Sequence, residues 1–438
     1  GKIRLNILKP STHILNHFFE NRNVNLKLTI SRYLNNHPEL SRNEITRVVY
    51  GVTRKETLIK YIAKNYSSRK LSDTDKQTRI LLYIGIYLTC FSRSYPDYAV
   101  VNEIVDFAPK RSRGFLNAVL RKISSERENI DNIINSIKDP MIKYSVSEEI
   151  INNLKHLTSD VMGTLEYLDS EPVFQVRVNK KDPDLIKEGE ILEKKDIPNK
   201  IVEKIGSFEI ENAGQMVREI LPGYGFYFQN SGSFAVSAVV SSFKGKKILD
   251  CCAAPGTKSI TLAHLCPDAD IIASDINPNR LKLFIPFLNN SGADNIELTA
   301  GDINAPPFQN IFDTILIDAP CTSSGTLRKN PDLKNKINKK NIELNSSRQI
   351  EILKSVMSWA GQGTTIIYSV CSFIMDETET VLNDVIRHFK EDEFEIMEPE
   401  NILKQYGFRF TKGKFGIFLL PDHKLNNDLF YISAIRKK

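Results

Sequence analysis

The sequence lacks the marks of several common protein classes. Its 438 residues hold six cysteines and no CxxC pair. Nothing in that usage suggests a disulfide framework, so a reduced, cytoplasmic protein is expected. The seven histidines are scattered without ligand spacing, and no metal is expected. The longest apolar run, Ile80 to Phe91, is too short to span a bilayer and carries polar atoms. No basic-then-apolar segment opens the chain. No internal repeat is visible. What remains is ordinary globular material, 41% hydrophobic and 26% charged, long enough for two or three domains with real cores.

Charge is unevenly placed. The first 140 residues carry 24 Lys and Arg against 13 Asp and Glu, while the rest carry 35 against 40. A basic module ahead of a mildly acidic body points to a polyanionic partner. That module, residues 1–140, reads as helical. Ile45, Val48, Val49 and Val52 fall at i, i+3, i+4 and i+7, and Leu116, Val119, Leu120 and Ile123 repeat the spacing. Residues 141–235 read as a small α+β domain. There Phe174, Val176 and Val178 alternate with Gln175, Arg177 and Asn179 as in a half-buried strand, and Ile205 to Asn212 offers another. From residue 236 to 438, short apolar runs alternate with helical patterns. Strands are expected at 247–250, 271–274, 296–299, 314–318, 364–368, 394–397 and 429–435. Such alternation predicts a parallel, doubly wound α/β sheet.

In that fold ligands bind at the carboxyl ends of the strands, and three turns there carry chemistry. Asp250-Cys251-Cys252-Ala253-Ala254-Pro255-Gly256-Thr257-Lys258 passes from strand to helix through small residues. Small residues let a ligand approach the backbone, and a helix start offers free N–H groups. The turn is neither G-x-G-x-x-G nor a Walker A loop; a plain tight turn is the ordinary alternative. Asp275 ends the next strand, suited to ribose hydroxyls or to capping the helix that Asn277-Pro278 begins. Asp302, after the third, suits an adenine amino group. Asp318-Ala319-Pro320-Cys321 and Tyr368-Ser369-Val370-Cys371-Ser372 then deliver two thiols to strand ends. The loop from Asp318 to Asp332 is long, which is common in functional loops, and its Arg328 and Lys329 could hold a phosphate. Cys321 taken alone reads as a buried structural residue, as do Cys90, Cys251, Cys252 and Cys266.

As a set these residues resemble the RNA cytosine-5 methyltransferases that use S-adenosylmethionine. Cys252 to Lys258 matches their cofactor loop, Asp275 and Asp302 their ribose and adenine acids, and Asp318 to Cys321 with Val370-Cys371-Ser372 their two signature cysteines. Val101-Asn102-Glu103 and Gly114 to Arg121 resemble the helical RNA-binding domain of the NusB antitermination factor. The arrangement resembles that of the bacterial 16S ribosomal RNA methyltransferases of the Sun, Fmu or RsmB type. The sequence departs from the family at Thr257, usually Gly, at Val370, usually Thr, at Leu429, usually Gly, and at Met375 to Thr378, usually Pro-Glu-Glu-Asn.

The resemblance implies a Rossmann-like methyltransferase domain at 236–438, behind a NusB-like domain at 1–140 and an α+β domain at 141–235. It implies methyl transfer from S-adenosylmethionine to C5 of a cytosine in 16S ribosomal RNA. Cys371 becomes the nucleophile at C6, Cys321 the group that assists proton removal, and Asp318 the contact to the base edge. Asp318 also lies with Cys252, Ala253, Ala254, Pro255, Gly256, Thr257, Lys258, Asp275 and Asp302 among the cofactor-binding residues. Pro320-Cys321 is the rival nucleophile, since DNA cytosine-5 enzymes use a Pro-Cys pair. The expected partner is RNA, with no DNA and no membrane, and a monomer is expected. Transfer RNA as substrate is one alternative, and a non-enzymatic NusB-like RNA-binding factor is another.

Overall fold

The computed structural model describes residues 6–92, 94–210, 223–304, 311–390 and 392–438. The chain divides into two compact units. One comprises Gly1–Ile151 with Asn330–Lys336, the other Asn152–Lys329 with Ile337–Lys438.

The first unit is helical: α1 (Leu8–Glu20), α2 (Leu26–Asn35), α3 (Arg42–Arg54), α4 (Glu56–Tyr66), α5 (Lys76–Ile86), α6 (Asp97–Phe107), α7 (Lys110–Ser125) and α8 (Arg127–Ser136). Local chemistry sets several starts. Ser41 Oγ accepts the Glu44 N–H at 3.4 Å ahead of α3, in the sequence form of a capping box. Asp75 Oδ1 accepts the Thr78 N–H at 3.0 Å ahead of α5. The stripes of α3 and α7 both face the core. The run Ile80 to Phe91 is the centre of this unit: α5 is buried from Ile80 to Ile86 and continues through Tyr87–Ser92. Gly51 in α3 permits that packing, because a Cβ there would lie 2.0 Å from the Tyr87 ring. Among the described residues no helix is long and apolar enough to cross a membrane.

The second unit holds two sheets. The smaller is antiparallel, ordered β2-β3-β1-β4, from β1 (Phe174–Val178), β2 (Asn199–Val202), β3 (Ser207–Ile210) and β4 (Phe226–Phe228). The strand expected at Ile205 to Asn212 appears as β3; residues 211–222 lie outside the described ones. Strict alternation in β1 fails at Gln175, which is buried. Its amide donates to the Leu425 carbonyl at 2.6 Å and accepts from Asn230 and the Ser231 N–H, so hydrogen bonds rather than solvent satisfy it.

The larger sheet contains β5 (Lys247–Asp250), β6 (Asp270–Asp275), β7 (Ile296–Ala300), β8 (Thr314–Asp318), β9 (Thr365–Val370), β10 (Phe394–Met397), β11 (Phe410–Lys412), β12 (Ile417–Leu419) and β13 (Tyr431–Lys437). Its order is β11-β12-β13-β9-β8-β5-β6-β7, with β10 also on β13. β7, β6, β5, β8 and β9 are parallel. β13 runs antiparallel to β9, so the sheet is mixed rather than wholly parallel. β12 and β13 reach that edge without a crossover helix. Both faces are covered: Leu316 of β8 and Ile367 of β9 pack with the helix Ser231–Ser242, while Ile315 and Ile317, which point the other way, are also fully buried. The chain leaves β5 for β6 on one side and returns through β8 on the other. This is a topological switch point, and its crevice opens at the carboxyl ends of β5 and β8.

Candidate active site

The cofactor-type loop stands at that crevice. Gly256 has φ +102°, and a Cβ there would lie 2.3 Å from the Phe284 ring, so only glycine fits. The helix Thr257–Leu265 follows directly. Asp250 is buried at the end of β5. One of its oxygens accepts the Ser259 hydroxyl at 2.7 Å, while Oδ1 has no partner. Burial pushes this carboxyl up to about 7. Asp275 lies at the end of β6 and accepts the Ala254 N–H at 3.2 Å and the Asn277 N–H at 2.9 Å. Arg280 pairs with it at 3.2 Å and donates to the Ala254 carbonyl at 2.7 Å. Asp275 therefore braces the loop, and Asn277 caps the helix Pro278–Leu281. Asp302 is exposed after β7, with Oδ1 accepting the Asn304 N–H at 2.9 Å; residues 305–310 lie outside the described ones.

Neighbouring strands β8 and β9 bring the remaining residues together. Asp318 ends β8. Its Oδ2 lies 2.6 Å from Lys258 Nζ, and its Oδ1 accepts the Ser369 hydroxyl at 3.2 Å. Burial opposes the Lys258 charge, but Asp318, aided by Cys371 and Asp250, more than offsets it, so the ammonium is held above its ordinary value. Cys321 Sγ and Cys371 Sγ stand 3.4 Å apart. The Cys321 thiol bonded to Cys371 pushes the Cys371 thiol down; burial and Asp318 oppose this, while Ser323 and the Lys258 cation add to it. Cys321 is held up by the same contact and by burial. Cys90 and Cys251 are buried, and Cys252 and Cys266 partly so; burial holds the last three up.

Two expectations change. Arg328 is buried rather than free for a phosphate: it stacks on Tyr167 at 4.5 Å and bonds the Glu171 carbonyl and Asn426 Oδ1. Lys329 pairs with Asp428 at 2.8 Å. Both brace the loop from within. Sequence reasoning also missed Arg280 and Glu377. Glu377 is fully buried between the two cysteine turns; its sequence signal was its place in the Met375 to Thr378 segment, where the family usually has Pro-Glu-Glu-Asn.

Residues 238–436 match the family model described as 16S rRNA methyltransferase RsmB/F, and residues 10–125 match the NusB family. Residues 238–436 form a methyltransferase domain of the RsmB/F type. The chain is an S-adenosylmethionine-dependent RNA methyltransferase with a NusB-like helical unit. A probable ribosomal RNA small subunit methyltransferase B of Bacillus subtilis is 26% identical over 91% of each chain. In fold, the crystal structure of PH0851 is similar over 100% of both chains, with TM-score 0.71 and 20% identity. NSun6 from Pyrococcus horikoshii, solved with the S-adenosylmethionine analogue SFG, is similar over 66% of this chain and 98% of that one, with TM-score 0.53 and 20% identity. The RsmB/F cofactor fits the crevice: a buried Asp250 oxygen without a partner lies under the turn, and the helix Thr257–Leu265 begins there with free N–H groups. We propose that Cys252 to Lys258, Asp275, Asp302 and Asp318 would hold it, with Asp250 beneath the loop.

Proposed function

We propose that this protein methylates C5 of a cytosine in 16S ribosomal RNA through a covalent bond from Cys371 to C6. The observation that carries the reading is the 3.4 Å contact between Cys321 and Cys371 at the ends of adjacent strands, with the Lys258–Asp318 pair beside it. The family description and the Bacillus subtilis relative's name support ribosomal RNA as substrate.

Cytosine C5 is a weak nucleophile. Attack by the Cys371 thiolate forms an S–C6 bond and moves the C5–C6 electron pair onto C5. Asp318, held by Lys258, faces the N3 edge and accepts a hydrogen bond from a proton that N3 takes from solvent during attack and returns to solvent when Cys371 leaves. When bound, S-adenosylmethionine supplies the methyl group that C5 takes up. Cys321 gives its proton to solvent and accepts the proton of C5. The electrons left behind restore the C5–C6 bond and expel Cys371 as thiolate. A base must leave its stack to reach such a pocket, which favours a single-stranded or locally opened RNA. The basic helical unit binds the RNA backbone, and the free thiols suit the cytoplasm.

The test uses labelled S-adenosylmethionine, unmodified small-subunit ribosomal RNA and three proteins. Wild type makes 5-methylcytosine, Cys371→Ala makes none, and Cys321→Ala stays trapped on the RNA. A dead Cys321→Ala with a trapped Cys371→Ala reverses the roles. Methylation of transfer RNA alone overturns the substrate, and a protein that binds no cofactor overturns the reaction.

A further inference from the structure

The geometry points to Glu377 as the positioning residue of the thiol pair: its buried carboxylate clamps the two cysteine turns together and sets which sulfur keeps the proton. This rests on the two-thiol reading above and names the group that makes the thiols unequal.

The carboxylate has four donors, drawn from three separate segments. Oε1 accepts the Thr322 N–H at 2.7 Å and the Gln349 amide at 3.4 Å. Oε2 accepts the Thr322 hydroxyl at 2.5 Å and the Ser372 hydroxyl at 2.6 Å. Thr322 directly follows Cys321, and Ser372 directly follows Cys371. A single carboxylate thus joins the residues next to both sulfurs. Gln349, from the helix Lys339–Trp359, extends the clamp by donating to the Pro320 carbonyl at 2.8 Å. The Tyr368 hydroxyl, from β9, donates to the Glu377 carbonyl at 2.7 Å and fixes its backbone.

The charge acts unequally on the two sulfurs. Glu377 is among the groups that hold the Cys321 thiol up, after its bond to Cys371 and burial. The largest charge effects on Cys371 come from Asp318, of β8, and Lys258, of the cofactor loop. Burial pushes the Glu377 carboxyl itself up, against the Ser372, Thr322 and Gln349 donors that favour its charged form. A negative charge on the Cys321 side keeps the proton there and leaves Cys371 the freer nucleophile.

Timed alkylation with iodoacetamide and peptide mapping reads the two thiols separately, without RNA. In wild type Cys371 is modified before Cys321. Glu377→Gln keeps the shape and removes the charge, so the Cys371-to-Cys321 rate ratio falls roughly tenfold, the thiolate change of one pKa unit. It also lowers kcat while the KM for S-adenosylmethionine stays unchanged; Glu377→Asp restores part of both. Loosened packing alone would speed both thiols equally. Should Glu377→Gln fail to fold, Thr322→Val and Ser372→Ala each remove one leg and each lower kcat with cofactor binding intact. An unchanged alkylation ratio in folded Glu377→Gln overturns the inference. That result would leave the 5-methylcytosine assay untouched, so the two failures are told apart.

Discussion

In the proposed mechanism Cys371 attacks as a thiolate, and two of its neighbours favour that form. The Cys321 thiol shares a 3.4 Å contact with it, and the Lys258 cation favours its thiolate. The single-turnover rate therefore rises with pH through a midpoint below the ordinary thiol range. Lys258→Met moves that midpoint to higher pH, because a cation no longer favours the thiolate. A midpoint at or above the ordinary thiol value in wild type contradicts this. Asp250 works in the opposite direction. Its folded value, about 7, lies above the ordinary 3.8, so between these values the folded state holds a proton that the unfolded state has lost. Stability contributed by this group is present below about 4 and lost as pH rises to about 7. In cofactor-free protein, the melting advantage of Asp250→Asn over wild type grows across that window and levels off above it. A pH-independent difference in thermal melting would count against the burial argument.

At the scale of elements, strand ends set the chemistry and one glycine joins them. The Gly325 N–H donates to the Cys371 carbonyl at 3.0 Å, and its carbonyl accepts the Leu429 N–H at 3.1 Å. A Cβ at Gly325 would lie 1.9 Å from the Leu429 oxygen. Gly325→Ala therefore shifts the Cys321 loop against Cys371 and lowers kcat roughly a hundredfold, measured with cofactor affinity as the control for folding. Much of this layout was legible. Apolar runs flanked by turn signals located β5, β8 and β10 end to end, and the motif acids fell at strand ends as expected. The hairpin of β11 and β12 was not legible, because two three-residue strands leave too short a pattern for period-2 reading. The roles of Arg328, Lys329 and Glu377 were not legible either. One sequence shows that a residue is charged, but burial and partners come from segments far away: Asn426 for Arg328, Thr322 for Glu377.

At the scale of the whole molecule, we propose that the basic helical unit holds the RNA and the methyltransferase unit reacts with it. The excess of Lys and Arg in the first 140 residues makes backbone contact the main source of affinity. Binding of the full chain to small-subunit ribosomal RNA should weaken by about a thousandfold between 50 and 200 mM salt if about six phosphates are neutralised. An affinity insensitive to salt would remove that role. The central claim is that Cys371 forms the bond to the base. The most direct measurement is mass spectrometry of the protein–RNA species trapped by Cys321→Ala, digested with protease and nuclease. The account predicts a cytidine adduct on the peptide carrying Cys371. An adduct on any other residue, or a trapped complex that dissociates on denaturation with no covalent mass, contradicts it.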